Sequence, residues 1–268
     1  MPEPITTVGM GAIVAYLGKD GLEKLLGPTA AYLGDGLKNF TEKRAEAVGK
    51  IFKRASEKLG DKADPGAAVP PKVLKQIVDD GSFATEDLEI EYLSGVLISS
   101  KSKNDRDNRG ASIAAMISSL SNYQLRAHFI FYNAMRESFR TAGIFPDMAG
   151  RPRMATFIAS NDFANAMDLN AEERTRATAL ISHITFGLHR NALIENFQFG
   201  SKEGMINAYP NIDAEGIVFQ PSVAGIELFL WAFGAPNKDL DYIFSPNFSP
   251  ATDDIKLLNI PARPAKLP

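Results

Sequence analysis

The sequence predicts a mainly α protein, with an N-terminal helical hairpin and helical bundle followed by a small α+β unit. Two observations support this fold class. Apolar residues recur at helical spacing through most of residues 8–142, which is typical of amphipathic and buried helices. After Phe145-Pro146 the pattern changes, and short runs rich in β-branched and aromatic residues appear between Gly and Pro residues, which is typical of strands.

The composition sets limits on both fold and function. With 268 residues, 45% of them hydrophobic and 23% charged, the chain is predicted to form one large or two small globular domains. The absence of cysteine excludes a disulfide scaffold, a thiol nucleophile and a Cys-based zinc site. The net charge of −3 gives no general reason to expect nucleic acid as a partner. The N-terminus has no basic signal-peptide region, and the uncharged stretch 5–18 is too short to span a bilayer, so a cytoplasmic location is expected.

Residues 1–64 are predicted to form a glycine-rich helical hairpin followed by a basic amphipathic helix. Seven of the 21 glycines fall in the first 36 residues, and Gly27-Pro28 separates two helical segments. Two glycine pairs recur at a spacing of seven, Gly11 with Gly18 and Gly27 with Gly34. Small residues at regular spacing allow two helices to approach closely, both in membranes and in soluble bundles.

The segment 38–62 supplies the basic helix. It contains eight Lys and Arg residues, and one stripe of the helix is apolar: Phe40, Val48, Ile51, Phe52 and Leu59. A helix of this kind is suited to an anionic membrane surface or to a partner protein. The predicted contact residues are Gly11, Gly18, Gly27, Gly34, Lys43, Lys50, Lys53, Arg54 and Lys58. The alternative is a packed hairpin within a soluble bundle, which is favoured by the charges inside the hairpin: Lys19, Asp20, Glu23, Lys24 and Asp35.

Residues 65–148 are predicted to form a helical middle region. The spacing of Ser121 and Gln124 is that of a capping box, which divides the helical pattern over 112–142. The second half of that pattern is apolar almost all round, as expected for a central, buried helix. The acidic residues within 79–91 are predicted to form a solvated connection between two helices, in preference to a metal or acid/base site.

Residues 149–244 are predicted to form the α+β unit, and 245–268 a proline-rich tail that is extended or loosely docked. Strands are expected at 153–159, 192–199 and 216–220, and Asn170 with Glu173 has the spacing of a capping box. The resulting order of helix, helix, hairpin and helix over 160–234 resembles a winged helix-turn-helix, so the unit is expected to be winged-helix-like.

Three residues in this unit are candidates for contact with a phosphate backbone. Arg176, His183 and Arg190 are spaced by seven, which predicts a stripe along one helix. The nearby Glu172, Glu173 and Glu195 disfavour nucleic acid as a partner. The alternatives are a winged helix that binds protein, or no winged helix.

No catalytic, cofactor-binding or metal-binding residue is predicted, and the chain is expected not to be an enzyme. It contains no P-loop, G-x-G-x-x-G, G-x-S-x-G or H-E-x-x-H motif. His183 and His189 are six residues apart and do not share a helical face, and His128 lies among aromatic residues. All three histidines are therefore predicted to be structural.

Several separated segments agree, in order, with a known family: GLEKLLGPT at 21–29, LKNF at 37–40, ASEKLG at 55–60, VPPKVL at 69–74, EYLSGVL at 91–97, QLRAH at 124–128 and GIELFLWA at 225–232. In these segments the chain resembles the abortive infection alpha (Abi-alpha) family of bacterial and prophage-borne proteins, over roughly residues 10–234. The resemblance implies a role in anti-phage defence, in which an infected cell stops growing or dies before phage progeny mature. It brings no catalytic motif.

Together these observations predict a non-enzymatic effector or sensor-effector of abortive infection. The expected partners are a phage or host trigger protein, the membrane surface and a second copy of the chain. Perturbation of the membrane by residues 1–62 is the first mechanistic hypothesis, with a location in the cytoplasm and at the periphery of the inner membrane. The alternatives are a winged-helix nucleic-acid-binding or regulatory protein using residues 150–234, and an interaction module without direct toxicity.

Overall fold

The computed structural model describes residues 42–60, 66–104, 106–250 and 261–266. The chain divides into two compact units. The first unit comprises Met1–Ser119 and Trp231–Pro236, and the second comprises Leu120–Leu230 and Asn237–Pro268. The division at Ser119 falls inside the middle region that the sequence predicts. In the described ranges the protein is mainly helical and has a small antiparallel sheet, as predicted.

The first unit contains four described helices: α1 (Glu42–Leu59), α2 (Pro71–Gly81), α3 (Asp87–Ser99) and α4 (Arg109–Ser119). Pro71 begins α2 at its first position, where the missing N–H costs no hydrogen bond. Helix α3 is apolar on nearly every side and is buried accordingly. Its Gly95 passes so close to the main chain that a Cβ there would lie 1.7 Å from the carbonyl oxygen of Ala232. Only glycine allows this approach.

The second unit begins with α5 (Asn122–Phe139), the central helix that the sequence predicts. The capping box is confirmed, because Ser121 accepts the Gln124 N–H while the Gln124 side chain accepts from the Ser121 backbone. The elements that follow are β1 (Thr156–Ala159), α6 (Ser160–Ala166), α7 (Ala171–Thr175), α8 (Ala177–Arg190), β2 (Ile194–Gly200), α9 (Lys202–Met205), β3 (Gly216–Pro221), α10 (Val223–Ala232) and β4 (Ala262–Pro264). The last two residues of α10 are counted with the first unit.

The sheet is antiparallel throughout, in the order β2-β3-β1-β4. One face packs against α5, where the rings of Phe131 and Phe219 stack 4.2 Å apart. The other face is covered by a second apolar cluster: Ala155, Phe157, Met205, Ile212, Val218 and Ala265. Both faces of the sheet are therefore part of the hydrophobic core.

Two details sharpen or correct the predictions. In the described part of the C-terminal tail, residues 262–264 are extended, which is one of the two predicted forms, and they pair with β1 as a fourth strand. The single helix expected to hold Arg176, His183 and Arg190 is divided at Arg176, whose φ and ψ of −117° and 23° lie outside the helical range. The Asn170–Glu173 capping box is confirmed, but it caps the short α7, and α8 begins at Ala177.

Candidate functional site

An aromatic surface forms where α8 meets β2 in the second unit. Phe186 of α8 is 60% exposed, and its ring lies edge-on to that of Phe197 in β2, with ring centroids 4.9 Å apart. The His189 ring lies 5.6 Å from Phe197, and the Phe199 ring is parallel to Phe197 at 6.4 Å. We call Phe186, His189, Phe197 and Phe199 the aromatic ledge. Phe186 and His189 are exposed and Phe197 and Phe199 are half-buried, and adjacent aromatic rings that reach the surface are typical of interaction surfaces.

Two periodicities place these rings together. In α8 the buried stripe contains Ile181, Ile184 and Leu188, and Phe186 lies about 200° around the helix from Ile184. In β2, Phe197 and Phe199 share one face because side chains alternate along a strand. Phe197 lies opposite Phe219 and therefore on the helix-facing side of the sheet, but at its outer edge, where it is only half-buried.

The turn from α8 into β2 sets the geometry of the ledge. Ala192 has a φ of 56°, a left-handed conformation that costs a non-glycine residue energy. The Leu193 N–H donates to the Leu188 carbonyl at 2.8 Å, which closes the helix end. Ser222 Oγ donates to the carbonyl of Ala192 at 2.6 Å. The turn is therefore held from both sides despite its strained residue.

The three predicted phosphate-contact residues do not form one stripe on one helix. Arg176 lies between α7 and α8, and its guanidinium pairs with Glu172 at 3.4 Å. His183 is on α8, and its Nε2 lies 2.9 Å from Ser121 Oγ. Arg190 is exposed in the last turn of α8. The prediction of a common stripe was wrong for Arg176, because the helix breaks there, whereas His183 and Arg190 are both exposed on α8 at the predicted spacing of seven.

Beneath these elements lies a buried polar network. His128 Nε2 donates to the carbonyl of Gly225 at 3.1 Å, and the Tyr132 hydroxyl donates to the carbonyl of Leu193 at 2.7 Å. Burial lowers the pKa of His128 to about 3 and raises the pKa of Tyr132 above its usual value. Both side chains are therefore neutral at pH 7 and serve packing.

In the first unit, two of the predicted membrane-contact cations are directed inward. Arg54 and Lys58 pair with Glu91 at 2.9 and 2.6 Å, and the Glu91 side chain is only 6% exposed. The Lys58 ammonium also donates to the carbonyl of Glu91 and to Ser94 Oγ, so it has three acceptors. Burial lowers the pKa of Lys58, while the Glu91 carboxylate opposes that shift.

Of the other predicted α1 contacts, Lys50 is exposed and pairs with Glu46, and Lys53 is exposed. The apolar stripe of α1 is buried within the unit, with Val48, Ile51 and Phe52 at 0% exposure. The prediction that 79–91 forms a solvated connection was wrong for Glu91, which is a buried ion-pair partner. The exposed face of α1 therefore mixes both signs of charge.

Several predicted contacts cannot be placed. Gly11, Gly18, Gly27 and Gly34 lie outside the described residues, as does the side chain of Lys43. Within the described ranges, no helix has the length and apolarity needed to cross a membrane. The same ranges hold no group of three or more His, Asp or Glu residues placed to bind a metal ion.

The aromatic ledge was not predicted from the sequence. One signal for it was present, because Phe186 falls outside the apolar stripe of its own helix. Its neighbours Phe197 and Phe199 come from another element and meet it only in the fold.

In comparisons with known proteins, no family model, curated protein or solved structure matches this chain.

Proposed function

We propose that this chain is an anti-phage defence protein that acts by abortive infection, through binding and without catalysing a reaction. The defence role is supported by the segments that resemble the Abi-alpha family, which extend over roughly residues 10–234. The binding role is supported by the aromatic ledge, in which Phe186 is 60% exposed beside two further phenylalanines. The ledge is the observation on which the binding role depends.

The second unit serves in this proposal as a winged-helix-like recognition module. The order α5, β1, α6–α7, α8, β2 and β3, with β3 lying between β2 and β1, supports this assignment. In such a module, α8 occupies the position of the recognition helix. The strands β2 and β3 then occupy the position of the wing.

The partner in this proposal is a protein, supplied by the phage or by the host. A surface that binds duplex nucleic acid needs cations aimed at phosphates. On the exposed side of α8, Phe186 lies between His183 and Arg190, the latter in the last turn, and Arg176 is paired with Glu172 outside the helix. Burial of a large aromatic side chain at the centre of an interface is typical of protein recognition.

A plaque assay tests the proposal. The chain is expressed in a phage-sensitive host, and plaque formation and culture survival are measured at low and high phage dose. We expect fewer plaques at low dose and loss of the culture at high dose, because infected cells die or stop growing before progeny mature. Normal plaque formation by a panel of phages would refute the defence role.

Two matched substitutions test the ledge within the same assay. Phe186→Ser removes the central ring, and Phe145→Ser removes a phenylalanine of the same unit that is 64% exposed and outside the ledge. We expect protection to fall at least tenfold with Phe186→Ser and to stay unchanged with Phe145→Ser. Equal behaviour of the two variants would remove the ledge from the proposal.

Membrane perturbation by residues 1–62 is a separate hypothesis for how growth stops. On α1, the exposed Lys50 and Lys53 are the described cations that support it. Recording the membrane potential of the infected cells tests whether the chain perturbs the membrane. Depolarisation before lysis supports the membrane hypothesis, and protection without depolarisation rejects it.

A further inference from the structure

The two edges of the sheet in the second unit differ in length and composition. At one edge, β4 has three residues and ends in proline, which blocks further pairing. At the other edge, β2 has seven residues, without proline or lysine, and pairs only with β3 among the described residues. Its single irregularity lies between Ile194 and Phe197, so the register is regular from Phe197 to Gly200. Exposed edges of this kind pair readily with another strand.

The hydrogen-bond pattern of the sheet shows which backbone groups of β2 are directed outward. The Ser160 N–H donates to the Glu215 carbonyl at 3.0 Å, so the odd-numbered residues of β3 pair toward β1. Its even-numbered residues therefore pair toward β2, where Val218 lies opposite Gln198. By the same alternation, the N–H and C=O groups of Phe197 and Phe199 point away from β3.

The surroundings of this edge define the side chains that an added strand would carry. On one face lie the ring of Phe186 and the side chains of Phe197 and Phe199, which suit apolar residues. On the other face lies Gln198, whose amide donates to the Gly204 carbonyl at 3.3 Å and suits polar residues. Arg190 is exposed at the end of α8, shortly before β2 begins at Ile194. It forms no ion pair in the described part of the chain, so it suits a carboxylate.

We propose that β2 accepts an extended segment of the partner protein as a fifth strand of the sheet. The segment alternates apolar and polar residues, and it carries an acidic residue toward the Arg190 end. Its backbone pairs with the outward groups of Phe197 and Phe199, and its apolar side chains pack on the aromatic ledge. This inference rests on the proposed recognition of a protein by the ledge and adds the mode and chemistry of that recognition.

A displayed library of short random peptides, selected against the full-length chain, provides the probe. We expect the enriched peptides to alternate apolar and polar residues and to contain at least one Asp or Glu. Amide hydrogen exchange is then measured with and without an enriched peptide. The peptide should slow exchange of the backbone N–H groups of Phe197 and Phe199. The backbone N–H of Gln198 is directed to β3, so its exchange should change little.

A pair of substitutions at one position separates backbone pairing from side-chain packing. Phe199→Val and Phe199→Pro both remove the ring, but only proline also removes the outward N–H, which β3 does not use. We expect the enriched peptides to bind Phe199→Pro about tenfold more weakly than Phe199→Val, with Phe145→Ala binding like the unchanged protein. Thermal unfolding of each variant shows whether the fold is retained. The exchange measurement uses the unchanged protein, so it tests the inference even if a variant does not fold.

Three results would overturn the inference. The first is the absence of an alternating consensus among the selected peptides. The second is equal binding by the two Phe199 variants together with unchanged exchange at Phe197 and Phe199. The third is a dimer of the chain in sedimentation that Phe199→Pro dissociates, which would make a second copy the occupant. If the inference fails while Phe186→Ser still abolishes plaque protection, the proposed function stands without strand addition.

Discussion

Helices α1 and α8 are both amphipathic, and the sequence marks cations on both as contact residues, yet the fold uses them in opposite ways. On α1, the cations Arg54 and Lys58 are directed to the buried Glu91, and the apolar stripe is covered within the unit. On α8, the one Lys or Arg residue is Arg190 in the last turn, and Phe186 is left exposed between Arg190 and His183. The difference teaches that cations at helical spacing do not by themselves mark a binding surface, because the fold can provide a buried acid for them.

The Glu91 cluster gives the largest expected effect on stability. Removing one member of a buried ion pair leaves the opposite charges buried without compensation, which is far worse than losing a surface pair. We expect Glu91→Ala to lower the free energy of unfolding by about 3 kcal/mol, since Arg54 keeps partial access to solvent. Urea unfolding at pH 7 measures this value.

Glu46 is the matched control for that substitution, because it pairs with a lysine of the same helix but is half exposed, as is Lys50. Glu46→Ala should cost less than about 0.5 kcal/mol. If Glu91→Ala costs no more than Glu46→Ala, the ion pairs with Glu91 do not hold Arg54 and Lys58 in the interior. The contrast with α8 would then disappear.

The second prediction concerns a buried base, His128, whose ring donates to the main-chain carbonyl of Gly225. His128 has a pKa of about 3 in the folded protein against about 6.5 when unfolded, so below pH 6.5 the unfolded chain binds the extra proton. Stability is therefore fully present above pH 6.5 and falls as the pH is lowered toward 3. Between pH 7 and pH 4.5, His128 should account for a loss of about 2–3 kcal/mol.

Two histidine variants isolate this contribution in urea unfolding at both pH values. His128→Asn removes the titrating group and should flatten the acid loss, whereas His183→Asn replaces an exposed histidine and should follow the unchanged protein. Parallel curves for the unchanged protein and His128→Asn would show that His128 is protonated without cost. The second unit would then tolerate a buried charge as the first unit does.

Much of the local structure could be predicted from the sequence. The capping boxes at Ser121–Gln124 and Asn170–Glu173 were identified from spacing alone, because both partners lie within one turn. The positions of β2 and β3 were also predicted to within two residues at each end, from apolar runs between turn residues. These features depend on near neighbours, which a sequence shows directly.

The parts that could not be predicted depend on distant residues. Glu91 looks like one more member of an acidic stretch, and its ion-pair partners lie 33 and 37 positions earlier in the chain. In the aromatic ledge, Phe186 contacts Phe197 across the turn at Ala192. The left-handed conformation of that turn is not marked by a glycine in the sequence. The break at Arg176 has no proline or glycine to mark it. In each case the decisive contact is created by the tertiary fold.

The C-terminal ends of α1 and α8 give the smallest expected change in the free energy of unfolding, and they extend the comparison of these two helices. Helix α1 is followed by Gly60 at a φ of 50°, and α8 reaches the same left-handed conformation with Ala192 at 56°. Alanine carries a steric cost there that glycine does not, and part of the gain from glycine is lost to the greater freedom of the unfolded chain. Ala192→Gly should therefore raise the free energy of unfolding by about 0.5–1 kcal/mol.

Ala179→Gly, at an exposed position inside α8, should lower stability by about 1 kcal/mol, so the two identical substitutions are expected to have opposite signs. Urea unfolding measures both. Strained residues persist near functional sites when the surrounding structure fixes them, and Ala192 is fixed by Ser222. If Ala192→Gly stabilises the protein but weakens peptide binding or plaque protection, the strain holds the aromatic ledge in its binding geometry. If both functions are unchanged, the ledge depends on its packing alone.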